Sequence, residues 1–200
     1  MMKNLSDLAS IRTAVVIRGQ ALQESANGNV RALAIRDLVA SKPLHWQELP
    51  KVLVEERYLS HCLKPGDVVI PSRGDYYKAW VFVGEDVEGP KIPIFPVGQL
   101  NVITPKSELD AQYLVWYLNQ RSTQIQMSKM LTGTSIKALT KTALMTLEVE
   151  VPPLAVQKHI AELEHTTQQI SAIRHRLNEL DKIEIDYLTN QILQSEGHHA

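Results

Sequence analysis

The sequence predicts an α+β protein. A mixed, β-rich domain covers 1–151, one long coiled-coil helix covers 152–194, and a short frayed tail covers 195–200. Three observations carry this. Short apolar, β-branched clusters separated by Gly and Pro fill the first half, the pattern of strands and turns. A stretch without Gly or Pro follows, with apolar residues at three- and four-residue steps. A second such stretch closes the chain and holds a seven-residue apolar repeat.

Strands are expected at 13–17, 30–35, 51–54, 68–70 and 79–83, punctuated at Gly19, Gly28, Pro43, Pro65, Gly66, Gly74, Gly89 and Pro90. Pro65 fixes a turn, Gly66 permits positive φ, and Asp67 can accept from backbone N–H groups as the chain enters 68–70. Pro93, Pro96 and Gly98 lead to a further strand at 100–104, closed by Pro105. One helix is then expected from Ser107 to about Leu131, capped by Ser107 or Asp110. Its inner face holds Tyr113, Leu114, Tyr117, Leu118 and Ile125, and Gly133 ends it. At 147–151 the order Leu-Glu-Val-Glu-Val alternates strictly, placing three apolar side chains on one face and two carboxylates on the other. Pro152 and Pro153 stop that strand, and Pro153 suits the first position of a helix.

The last helix has the simplest pattern. With Leu163 as a, the a positions are Val156, Leu163, Ile170 and Leu177, and the d positions are His159, Thr166, Ile173, Leu180 and Tyr187. The seam is continuous from Leu163 to Leu180 and interrupted by Glu184. A narrow stripe on so long a helix suits a partner helix better than a globular core. About 39 residues at ~1.5 Å each make a rod of roughly 60 Å. Leu163, Ile170, Ile173, Leu177 and Leu180 are the expected pairing residues.

Composition narrows the function. With 44% hydrophobic and 22% charged residues, wholesale disorder is excluded. The single Cys62 cannot form an internal disulfide, and no CxxC or HxxxH spacing is present to hold zinc. No apolar run approaches membrane-spanning length, so a soluble, cytoplasmic chain is expected. No glycine-rich nucleotide loop occurs. Val-Pro-Pro-Leu is not the polar-Pro-Pro-aromatic motif of an amino-methyltransferase. Asp75, Glu85 and Lys91 lack the Glu-x-Lys spacing of a metal-dependent nuclease. His61 and Cys62, if neighbours in a strand, point to opposite faces and make no nucleophile–base couple. His198 and His199 take no metal role. The expectation is a non-catalytic chain without cofactor or metal.

Net charge is −1, but it is unevenly spread. From 155 to 200 there are 4 Lys/Arg and 7 Asp/Glu; the other 17 and 15 lie in 1–154, giving −3 and +2. Between 111 and 147 stand four basic residues, Arg121, Lys129, Lys137 and Lys141, with no acid and many hydroxyls. Such a segment can pair with phosphate oxygens. Gly133, Thr134 and Ser135 form a turn whose N–H groups can meet a phosphate. The loop 73–78 adds Arg73, able to read guanine, with Tyr76, Tyr77 and Lys78 beside it. These are the candidate DNA contacts.

Several segments, in this order, resemble the specificity subunit of type I restriction–modification systems: LSDLASI (5–11), LKPGDVVIPSRG (63–74), LNVITP (100–105), AQYLVWYLNQ (111–120) and LTGTSIKALTKTALMTLEVEVPPLAVQKHIAEL (131–163). The last combines a Gly-Thr-Ser-Ile-Lys turn, a Leu-rich approach strand, and Pro-Pro-Leu-x-x-Gln opening a long helix. The resemblance implies that the first domain is a target-recognition domain reading a few base pairs of double-stranded DNA. It implies partner subunits that methylate adenine, and a translocating nuclease subunit that can join them. A usual member has two recognition domains and two spacer helices, whereas this chain has one of each. A homodimer with antiparallel helices rebuilds the two-domain form and would read a bipartite target. Pairing with a different half-subunit, or a truncated remnant, are the alternatives. The contending class is a protein-interaction module that pairs through its helix and no longer reads DNA.

Overall fold

The structure, a computed structural model, describes residues 1–17, 22–38, 44–74, 77–84, 92–133 and 137–196, with side chains to 192. The chain divides into two compact units, Met1–Lys158 and His159–Ala200. In chain order the elements are β1 (Met2–Asn4), α1 (Leu5–Leu8), β2 (Ala9–Thr13), β3 (Val30–Leu33), β4 (Lys51–Val52), β5 (Val68–Pro71), β6 (Trp80–Val81) and β7 (Ile94–Pro96). They continue with β8 (Leu100–Pro105), α2 (Ala111–Asn119), α3 (Arg121–Lys129), α4 (Lys141–Met145), β9 (Glu148–Glu150) and α5 (Leu154–Glu196). Mixed sheets followed by a long helix make this the α+β fold that the sequence predicts.

Among the described residues the strands form three sheets, ordered β2-β8-β5-β6, β4-β3-β7 and β1-β9. Pairing is antiparallel except between β3 and β7. Strand β8 lies between β2 and β5, and its first four residues are buried whichever way they point. An unbroken Leu-Asn-Val-Ile run, rather than alternation, is what a strand covered on both faces requires. Leu33, Val69, Ile94, Leu100 and Val102 join one apolar cluster, and Val30, Val52 and Phe95 anchor a second.

The Pro-Gly-Asp turn forms as its residues dictate. Gly66 has φ 90°, and Asp67, only 2% exposed, accepts from Lys64 N at 2.9 Å and Thr104 Oγ1 at 2.6 Å. Arg12 stands 3.7 Å from the same carboxylate. One buried acid therefore ties β2, the turn and β8 together, its charge offset by two donors and a cation.

Several expectations shift. The strand expected at 13–17 falls instead at Ala9–Thr13 (β2), and the strands at 30–35, 51–54 and 79–83 are shorter than the apolar runs that suggested them. His61 and Cys62 close a 3₁₀ turn, Glu56–His61, not a strand. The Leu-rich approach after 137 is helix α4, capped by Thr140 Oγ1 accepting from Ala143 N at 3.1 Å.

The largest correction concerns the single helix expected from 107 to 131. Asp110 does cap it, accepting from Gln112 N and Tyr113 N. At Gln120 the backbone leaves the helix (φ −63°, ψ 140°), so two nine-residue helices form. Helix breaks have identifiable causes, and no Gly or Pro supplies one here. Tertiary hydrogen bonds to the side chains on either side of the break do. Ile125, expected on the inner face, is 48% exposed because the break rotates α3 away from the face of Tyr113, Leu114 and Leu118.

The Pro-Pro-Leu-x-x-Gln segment also has a physical reason. Pro153 O accepts from Val156 N and Gln157 N, so Pro153 stands just outside the first turn of α5 rather than within it. Gln157 is fully buried; it accepts from Asp110 N at 2.8 Å and donates to Glu108 O at 3.0 Å and Pro152 O at 2.8 Å. A completely satisfied buried amide is a strong local tie.

Candidate nucleic-acid interface

Two segments read separately in the sequence meet in the structure. Arg73 forms an antiparallel bridge with Ala138, which also bridges Thr132. Thr132 and Ala138 exchange both backbone bonds, at 3.0 and 2.8 Å, and Leu139 N donates to Ser72 O at 2.9 Å. Thr132 and Ala138 thus pair beside the end of β5. Gly133 adopts φ 109°, a conformation L side chains rarely accept, which explains glycine at the turn. Asn101 anchors the assembly from below: fully buried on β8, it donates to Leu139 O at 2.9 Å.

This edge carries the basic residues. Arg73, Lys137 and Lys141 are exposed, Lys141 opening α4 two residues after Leu139. Lys129, also exposed, ends α3 three residues before Thr132. Arg121 is exposed at the other end of α3, roughly 12 Å along its axis. Thr134, Ser135 and Tyr76 lie outside the described residues, as do Asp75, Glu85 and Lys91.

Tyr77 and Lys78 differ from the rest of their group. Tyr77 is 4% exposed and belongs to the core, so its ring offers nothing to a duplex. Lys78 is half-buried with its ammonium 5.6 Å from the centre of the Trp80 ring, a cation–π distance. Sequence reasoning missed Asn119 and Gln124, which hold the backbone on both sides of Lys78. Asn119 belongs to the family-like segment AQYLVWYLNQ (111–120), but with the segment read as uninterrupted helix neither amide stood out as a positioning group.

Elsewhere the chemistry is quiet. Burial pushes the Cys62 thiol up, with Arg12 opposing, so the thiolate a nucleophile needs is disfavoured. Among the described residues no three His, Cys, Asp or Glu gather as a metal site, and no helix is long and apolar enough to cross a membrane.

Helix α5 starts at Leu154 in the first unit and continues into the second to Glu196, 43 residues or roughly 65 Å in all. Leu163, Ile170, Ile173, Leu177 and Leu180 are exposed by 44 to 59%. Ile183, Ile185, Tyr187, Leu188 and Ile192 continue the exposure. Thr166 and Thr167 return their hydroxyls to the carbonyls of Glu162 and Leu163, which keeps these polar residues compatible with the helix.

Residues 80–182 match the family model described as the type I restriction modification DNA specificity domain. A comparison with curated proteins finds no match. Among solved structures, the HsdS subunit from Thermoanaerobacter tengcongensis is similar over 88% of this chain and 39% of its own, with TM-score 0.61 and 19% identity. A structure described as showing complex assembly and conformational transition of the type I R-M system gives 0.60 and 21%, over 90% and 41%. The S subunit of the type I system from M. genitalium gives 0.55 and 12%, over 84% and 39%. These likenesses extend the shared fold to nearly all of this chain, which spans about two-fifths of each of those structures.

Proposed function

Because the chain belongs to the type I restriction–modification DNA specificity family, we propose that it reads a duplex and directs a partner adenine methyltransferase to a bipartite target. In this reading 1–151 is the target-recognition domain and 152–194 the spacer and pairing helix. The chain supplies recognition and needs no cofactor; methyl transfer belongs to the partner, and a nuclease or translocase subunit joins the same complex in the cytoplasm.

The observation that carries the reading is the pairing of Arg73 with Ala138, which brings a cation from one part of the sequence beside the basic, acid-free stretch 111–147. Lys129, Lys137 and Lys141 engage phosphates, and Arg73 reaches a base edge. Gly133, with Thr134 and Ser135, gives the loop a backbone that can approach a phosphate closely. Arg121 extends the contact, and Lys78 with Tyr76 flanks it. A second copy, antiparallel along the exposed a and d residues of α5, supplies the other half-site and covers an apolar stripe that water would otherwise meet.

The test is selection of bound duplexes from a random pool, with and without a methyltransferase subunit. Enrichment of two fixed half-sites at a fixed gap is expected. A pool that stays random, while the chain still pairs through α5, would transfer the assignment to a protein-interaction module.

A further inference from the structure

The break between α2 and α3 is where local sequence preference and structure disagree, and such disagreements concentrate at functional positions. Asn119, the last residue of α2, accepts from Ala79 N at 2.8 Å and donates to Ala79 O at 3.0 Å. Its carboxamide does for Ala79 what a neighbouring strand would do. Gln124, in the first turn of α3, donates from one nitrogen to Tyr77 O at 2.9 Å and Leu118 O at 2.8 Å. The second bond also satisfies a carbonyl orphaned by the end of α2. A straight helix through Gln120 would retain that carbonyl's own i+4 partner and would turn Gln124 away from Tyr77.

Lys78 therefore lies between two clamped residues. Tyr77 and Ala79 are themselves buried, at 4% and 1% exposure, so the backbone on each side of Lys78 is held by packing as well as by side-chain amides. Arg73, four residues before Tyr77 in sequence, is held by its bridge to Ala138, with Leu139 bonded to Ser72. Neither amide needs to touch DNA to matter. Contacts that discriminate bases tolerate little misplacement, whereas contacts to phosphate by flexible lysines tolerate more.

We infer that Asn119 and Gln124 are positioning residues: the broken helix exists to hold 77–79 so that Lys78 and Arg73 are presented in one geometry to a duplex. This rests on the proposed reading of DNA by the first unit. It assigns discrimination between sequences, rather than overall affinity, to two uncharged amide side chains.

The experiment compares the wild-type chain with Q124M, which keeps the side-chain length and removes both donated bonds, and with N119D, which replaces the donor to Ala79 O with an acceptor. Each is measured for thermal unfolding, for binding to a duplex selected by the wild-type chain and to a scrambled one, and for the salt dependence of both. The expected result is a cooperative transition, an unchanged salt slope, and about a tenfold loss of discrimination in Q124M. Undiminished discrimination in folded Q124M and N119D overturns the inference alone. A wild-type chain that prefers no sequence overturns the DNA reading and this inference with it. Hydrogen exchange at the Ala79 amide of the wild-type chain covers variants that fail to fold: slow exchange, slowed further by the selected duplex, is expected, and exchange at open-loop rates overturns the clamp.

Discussion

The two units handle their apolar residues in opposite ways. In the first, Leu33, Ile70, Phe95, Leu114 and Leu118 are all essentially inaccessible to water. On α5 the regular succession from Leu163 to Leu180 stays about half exposed, and of twenty large apolar side chains exposed among the described residues, twelve belong to that helix. A unit that buries its own apolar surface derives stability from itself; an exposed apolar stripe is the surface that the proposed second copy would cover. In the proposed reading this difference separates recognition, which needs a rigid surface, from spacing, which needs a stripe.

The sharpest way to break the comparison is to remove core volume. Phe95→Ala should cost the first unit about 3–5 kcal/mol, read by denaturant unfolding. Leu177→Ala should leave that unit's stability within about 0.5 kcal/mol. A comparable loss from both would mean that α5 derives its stability from the rest of the same chain. Second in size, I173K combined with L177K should weaken pairing on the order of a hundredfold, because apolar burial is lost and charge enters the seam. Light scattering across a dilution series measures it, and a wild-type chain that stays monomeric at micromolar concentration removes the dimer.

The third prediction concerns the basic edge. K137A and K141A should each lower the slope of log binding constant against log salt by about one unit, on specific and scrambled duplexes alike. An unchanged slope takes that lysine out of the interface. The smallest effect lies within the first unit. Burial pushes the Tyr113 hydroxyl up to about 12, with Glu150 and Tyr117 adding to the shift, while it donates to Glu150 O at 2.7 Å. Since the folded chain holds this proton more tightly, its contribution to stability is complete below the unfolded value of about 10 and is lost as pH rises through about 12. Tyr113→Phe should cost about 1 kcal/mol near neutrality and flatten the alkaline decline in the denaturation midpoint.

What could be read from the sequence follows the range of the forces involved. The Pro65-Gly66-Asp67 turn, strand β8, the Asp110 cap and α5 depend on neighbours within a few residues, and periodicity or turn chemistry reveals them. Strand β1 is three residues long and exists because Met2, Lys3 and Asn4 pair with Glu150, Val149 and Glu148 from the far end of the unit. The parallel pairing of β3 with β7 is equally non-local. The break at Gln120 depends on Ala79 and Tyr77, some 40 residues away in sequence. For the candidate interface, charge and glycine placed Arg73, Gly133, Lys137 and Lys141 without showing that they share an edge. Tyr77 looked like a surface aromatic because burial depends on packing, which a hexapeptide does not display.

The division between a reading unit and a pairing helix is tested most directly by footprinting on the selected duplex with the wild-type chain and with the I173K/L177K variant. The wild-type chain should protect two half-sites, and the variant one half-site of unchanged sequence. Loss of sequence preference together with loss of pairing, or single-site protection by the wild-type chain, would contradict the account.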